Sequence, residues 1–507
     1  MTHCLSTAFR LPSVARFGRS TPSPAGNSGS NHTSIHILDD DSLLNIFYLH
    51  RPILLDADEV RNDRILQGGV WDRERWWYKL AHVCQRWRYL ILASASYLQL
   101  SLVCTYGTPV ADMLAHSPRL PLVIDHVSKD RRILAEDEER ILLALQYRDR
   151  VRRIRLLMPI ANLQNLATAI DDEFPMLEFL YVEAQTEDDD TSVKLPKTLR
   201  APRLCHLISI NFDFLLGSPL LTTPAGLVTL SLQKIHRSAS FRPIDLVQRL
   251  SLMPQLETLG IHFHPPPDNR DIEGELLDTR ITTHAALPNL RWFGFGGASA
   301  YLEALLPRLT TPLLEKLQLR FTNQSTFSIP RLLQFMSKAK NLRLSSTRFI
   351  FYSWGVAVMV YPYDGAKMYT LEMKVVCRHL DAQVSSVAQI FDELSPAFSA
   401  VEYFILENAK VRPLSERRLN EVDRTQWRKL LRSFGNVKTL LVDSEFVEDL
   451  SRCLRSEDGE PTMELLPELK ELSYFGKVGA FAGFIVARHV TGRPVNLLRH
   501  QNRFAFS

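Results

Sequence analysis

One motif returns along most of this 507-residue chain: apolar residues at positions 1, 4 and 6 of a short segment, often with proline two residues before position 1. Leu177, Leu180 and Val182 follow Pro175, and Leu256, Leu259 and Ile261 follow Pro254. Leu290, Phe293 and Phe295 follow Pro288; Leu314, Leu317 and Leu319 follow Pro312; Leu469, Leu472 and Tyr474 follow Pro467. The same pattern without the proline reads Val151/Ile154/Leu156, Leu227/Leu230/Leu232, Val401/Phe404/Leu406 and Val437/Leu440/Val442, with weaker copies at Leu204/Leu207 and Leu342/Leu344. From residue 151 to 342 the anchors step by 26, 27, 23, 29, 34, 24 and 28 residues. Positions 4 and 6 alternate as a strand requires and hide one face, while position 1 turns into the core. The proline is expected to end the preceding helix and bias its neighbour towards extended backbone.

Between the strand segments lie stretches with helical patterning: Ile160–Phe174, Ile244–Leu252, Tyr301–Leu309, Ile329–Lys338 and Trp427–Phe434. A strand plus a helix of this size cannot bury its apolar face alone, so neighbours must stack. The spacing matches the roughly 20–29 residues of a leucine-rich repeat. The expected fold is therefore α/β: an irregular leucine-rich-repeat-like solenoid, a horseshoe of parallel strands, over residues 98–490. The competing reading is an ordinary α/β domain with coincidental motif hits. Between Leu342 and Val401 the step doubles. That interval holds Phe349–Tyr361, aromatic, β-branched and too short for the roughly 20 residues of a membrane span, and a second strand-like run, Tyr369–Val376. We expect a strand or hairpin arm there, inside an enlarged repeat whose strands pair sideways.

Ahead of the repeats the pattern changes. Asp39, Asp40 and Asp41 suit the start of a helix carrying Leu43, Leu44, Ile46 and Phe47. A second helix is expected over Trp71–Leu90, with Trp76, Leu80, Val83 and Trp87 on one face. So much aromatic area in a short segment points to a protein partner, or else to a cap over the first repeat. The expected layout is a disordered tail over 1–35, a helical module over 36–97 with an inserted loop at 51–70, the solenoid, and a C-terminal tail over 491–507.

The bulk chemistry excludes several classes. Lys plus Arg number 60 and Asp plus Glu 56, so no basic excess argues for nucleic acid. The densest basic run, Arg148–Arg155, alternates with apolar residues and reads as a strand with one wet face. Cys4, Cys84, Cys104, Cys205, Cys377 and Cys453 have no paired spacing and read as reduced thiols of a cytoplasmic or nuclear protein. Residues 1–38 carry Arg10, Arg16 and Arg19 with many Ser and Thr, which suits either a floppy tail or a mitochondrial presequence. No membrane contact is expected.

Ile37–Phe47 (ILDDDSLLNIF) followed by Leu80–Arg88 (LAHVCQRWR) resembles an F-box. Leu98–Cys104, Thr108-Pro-Val, Leu120–Ile124 and Phe484–Val495 resemble further parts of the large F-box group of mushroom-forming fungi, so the likeness spans most of residues 36–495. Two departures stand out: Asp39 replaces the family's proline after Leu38, and Arg51–Val70 separates the two helical pieces. The resemblance implies an F-box-like module and the role of substrate receptor in a Skp–cullin–F-box ubiquitin ligase. It implies a Skp-type adaptor held through Leu38, Leu43, Leu44, Ile46, Phe47, Val83, Cys84 and Trp87. The alternative is a repeat scaffold unconnected to ubiquitin ligases, its N-terminal helices serving as a cap.

Strand positions 3, 5 and 7 should line the concave wall, where a client protein would sit. They include Phe179, Tyr181, Glu183, Gln233, His262, Trp292, Lys316, Gln318, Arg320, Tyr403, Glu407, Asp443 and Phe475. Tyr181, His262, Trp292, Arg320 and Tyr403 are the expected contacts, since aromatic and Arg side chains most often dominate interfaces. Gly294 and Gly296 should leave the Trp292 ring unshielded. His262, His264 and Asp268 could offer metal ligands, but three prolines follow directly and a loop is the better reading. Gly294–Gly297 lacks phosphate-loop spacing, and Glu187–Asp190 lacks the alternation of a calcium loop. No catalytic motif appears, so neither an enzyme nor a cofactor is expected.

Overall fold

Most of the repeats begin with the same turn. The backbone N–H of the position-1 residue donates to the carbonyl three residues earlier: Leu177 to Phe174 (3.2 Å), Leu256 to Met253 (3.2 Å), Leu290 to Leu287 (3.2 Å), Leu314 to Thr311 (3.3 Å) and Leu469 to Leu466 (3.1 Å). The recurrent proline is the second residue of that turn, where its fixed φ suits the bend. Its job is thus to open the turn into the strand, more than to end the helix before it. Val401 and Val437 make the same bond without proline, at 3.0 and 3.3 Å.

The computed structural model describes residues 37–52, 75–127, 133–185, 193–213, 216–223, 226–236, 241–263, 283–322, 324, 326–363, 365–409, 424–455, 465–476 and 479–500. The expectations for residues 1–36, for most of the 51–70 insertion, for Glu187–Asp190, and for His264 and Asp268 lie outside them. The chain divides into two units, Met1–Leu207 with Ser218–Pro224, and Ile208–Gly217 with Ala225–Ser507. The fold in each is mixed α/β with mainly parallel strand pairing.

The first unit opens with helix α1 (Asp40–His50), then α2 (Trp76–Ala81) and α3 (Gln85–Ala93). The single second helix expected over Trp71–Leu90 is instead broken at His82–Cys84, where Cys84 is extended (φ −157°, ψ 170°). The break rotates the buried face, so Trp77 and Ala81 are buried where Trp76 and Leu80 were expected. Strands β1 (Leu102–Cys104), β2 (Leu122–Val127), β3 (Val151–Pro159) and β4 (Phe179–Gln185) follow, paired in parallel and in chain order. Motif positions fall in register: Ile154 opposite Leu180, Leu156 opposite Val182. The basic run is not a wet strand face. Arg155 is buried in an ion pair with Asp125 (3.0 Å), Arg152 pairs with Glu178 (2.7 Å), and Arg148 pairs with Asp172.

In the second unit β5 (Thr229–Ile235), β6 (Thr258–Phe263), β7 (Trp292–Gly297) and β8 (Lys316–Thr322) pair in parallel in that order. Leu230, Leu259, Phe293 and Leu317 form one row across the four strands, and Leu232, Ile261, Phe295 and Leu319 the next. All eight are essentially inaccessible to solvent. Helices Pro243–Leu250, Ser299–Leu305 and Pro330–Lys338 fall where helical patterning was expected.

The doubled interval contains three strands, β9 (Ser346–Phe351), β10 (Gly355–Tyr361) and β11 (Leu371–Val376), joined by antiparallel pairing. Their order in the sheet is reversed: β11 pairs in parallel with β8, and β9 pairs in parallel with β12 (Tyr403–Asn408). The parallel ladder resumes through β13 (Thr439–Val442) and β14 (Glu471–Phe475). It extends to β15 (Asn496–His500), so part of the expected C-terminal tail is a strand. Rings of Phe349, Phe391, Phe404 and Phe434 pack at 4.6–5.8 Å beneath this part of the sheet. No helix among the described residues is long and apolar enough to cross a membrane.

Candidate interaction surfaces

In the N-terminal module, Asp39 does the work expected of an N-cap: its carboxylate accepts from the Ser42 N–H at 2.7 Å, which also holds its pKa below the ordinary value. Arg86 of α3 reaches back to this helix start, donating to the Leu38 carbonyl (2.6 Å) and the Asp40 carboxylate (2.7 Å). Phe47 and Trp87 meet edge to face at 4.9 Å, closing a small core with Leu43.

This arrangement sorts the eight residues assigned to adaptor contact. Leu43, Phe47 and Trp87 are spent on the module's own core, while Leu38, Leu44 and Cys84 are half-buried. Ile46 (43% exposed) and Val83 (57%) present themselves to solvent. Leu49 and Tyr89, which motif matching passes over, are more exposed still. For Leu49 the signal was available in helical periodicity: it falls three residues from Ile46, on a neighbouring turn. On its other side the module holds the first strand. Trp77 Nε1 donates to the Ser101 carbonyl (3.2 Å) and Arg75 Nη2 to the Val103 carbonyl (3.3 Å).

The second surface is the sheet face opposite the leucines. Tyr181, in the first unit, is buried there (4% exposed) beside Asp125 and Arg155, and its hydroxyl bonds Glu183. The remaining four expected contacts lie in the second unit. Trp292 is not left unshielded by the glycines. A Cβ on Gly294 would lie 2.4 Å from its Cη2, and one on Gly260 3.2 Å from its Cζ3, so the indole lies down across both and keeps 7% exposure. His262 does the same over Gly296 at 3.2 Å. The missing side chains make a bed for rings. Tyr403 is half-buried and Arg320 exposed.

Neighbouring strands add polar groups to these wall positions, of which Glu372, Lys374, Tyr369 and Arg348 were not reached by the strand motif. Glu372, nearly inaccessible, accepts from Gln318 (2.6 Å) and pairs with Lys374 (2.7 Å). Lys316 sits 4.0 Å over the Tyr369 ring, and Arg348 pairs with Glu407. Burial, then the positive charges of Arg320 and Lys374, push His262 down to about 4, so it is neutral at physiological pH.

The thiols are free among the described residues, and burial pushes Cys104 and Cys453 up to about 12, which makes them poor nucleophiles. No family model matches the chain, and no curated protein matches it at a significant level.

Proposed function

We propose that this chain is a non-enzymatic recognition adaptor of the cytoplasm or nucleus. Its N-terminal helices dock a Skp-type adaptor of a cullin ubiquitin ligase, and its leucine-rich-repeat-like strands hold a client protein. The observation that carries the reading is the row-by-row register of the repeated motif: Leu259, Phe293 and Leu317 side by side, Ile261, Phe295 and Leu319 beside them. A ladder of this kind commits one face to the core and leaves the other as a broad polar and aromatic surface suited to another polypeptide. The exposed apolar positions on α1 and at the α2–α3 junction support the docking half.

The test is direct binding of the purified full chain to a purified Skp-type adaptor. Ile46→Asp with Val83→Asp should abolish it without unfolding, because both side chains are exposed. Trp87→Ala is the wrong probe, since Trp87 holds the module's core. Failure of the intact chain to bind overturns this half of the proposal. The alternative, helices serving as a cap, draws on the Trp77 and Arg75 bonds to residues 101–103. Under it, the Ile46/Val83 variant behaves like the parent in every binding assay.

A further inference from the structure

The sheet face of the second unit carries one guanidinium with no acidic partner. Arg320 is exposed and joins no ion pair among the described residues, whereas its neighbour Lys374 pairs with Glu372. Strand pairing sets its neighbours. His262, Gly296, Arg320 and Lys374 are successive Cα partners across β6, β7, β8 and β11, all on the face opposite the leucines. Gly296 puts no side chain between His262 and Arg320, and His262 Nε2 is buried with no hydrogen-bond partner among the described residues. An uncompensated imidazole N–H or lone pair beside two cations is costly unless something completes it.

We propose that this row is a carboxylate-binding site, taking the side chain of an Asp or Glu in an extended acidic segment of the client. The client's being a protein rests on the receptor reading above; the site itself rests on these side chains. Arg320 provides the planar fork that suits a carboxylate, Lys374 a second positive charge, and neutral His262 a donor in its Nε2–H tautomer. Charge decides between a carboxylate and a phosphate. Arg320 and Lys374 contribute two positive charges, and buried Glu372, 2.7 Å from Lys374, removes one. The net single charge is matched by a carboxylate. A phosphoryl group, near −2 at neutral pH, would bring excess negative charge against Glu372. Apolar groups flank the row: the Trp292 ring lies over Gly294, and Ala357, the partner of Lys374, is fully buried at the other end.

The experiment measures binding of the purified full chain to labelled random peptide pools with a fixed central Glu, Gln or phosphoserine, without any adaptor present. We expect the Glu pool to be retained about tenfold better than the Gln pool and better than the phosphoserine pool. Arg320→Ala, which removes no hydrogen bond or ion pair among the described residues, should bring Glu down to the Gln level. Lys338→Ala, the same loss of charge on an exposed helix position, should leave the preference intact. Equal retention of Glu and Gln, preference for phosphoserine, or equal losses in the two variants would each overturn the site. Because no adaptor enters, failure of the docking proposal and failure of this site register as separate results.

Discussion

The Trp292 indole and the two glycines beneath it define a contact that tolerates no extra atom. A methyl at Gly294 would need the space held by Cη2 and Cζ3 of the ring, at 2.4 and 2.9 Å. Gly294→Ala should therefore cost about 1–3 kcal/mol in urea unfolding, as overpacked sites do. Gly435→Ala, with open space around it, should cost much less. Equal effects would contradict the packing. His126 offers a second test. It is fully buried, has no hydrogen-bond partner on either ring nitrogen among the described residues, and burial lowers its pKa from 6.5 to about 4. Its folded pKa lies below its unfolded value, so the unfolded chain binds the proton first. Stability is then full above pH 6.5 and falls as pH drops towards 4. His126→Leu should flatten that fall, read as the difference between the two unfolding curves across the window; identical pH profiles would remove His126 as a cause.

At the scale of elements, one buried arginine ties a helix to the recurrent turn. Arg488, in the helix Ala482–Val490, donates to the carbonyls of Leu466, Pro467 and Leu469 at 3.2, 3.0 and 3.3 Å, clamping the turn that opens β14. Arg488→Met keeps the bulk and removes the donor, leaving the Leu469 carbonyl without it, while Leu466 still accepts from the Leu469 N–H and Pro467 from Arg493. It should cost about 2–4 kcal/mol in chemical denaturation, and a neutral outcome would remove the clamp from the account. The same scale shows what could be read beforehand. The 1-4-6 pattern located the strands because a side chain on a strand has only two faces to choose from, and leucines choose one. The reversed order of β9, β10 and β11 was not legible: each strand alone has acceptable alternation, and pairing partners are chosen by distant segments. The break at His82–Cys84 was hidden for a related reason. Trp76, Leu80, Val83 and Trp87 fit one continuous helix face equally well, and no proline or glycine marks the interruption. Among the candidate contacts, the exposure of Arg320 follows from its strand position, whereas that of Trp292 and Tyr181 does not, because glycine neighbours and buried charges set it, not alternation.

For the molecule as a whole, the proposed role draws on two surfaces of different character. One is a small helical module with Ile46 and Val83 turned outward; the other is a polar sheet face around Arg320. Both are proposed to work by recognition. Affinity purification of the full chain followed by mass spectrometry reads both at once. The expected result is recovery of a Skp-type adaptor with its cullin, together with a client. Ile46→Asp with Val83→Asp should lose the ligase components while retaining the client. An intact chain that brings down no adaptor, or a variant that brings it down equally well, would contradict the claim that this protein links a client to a ubiquitin ligase.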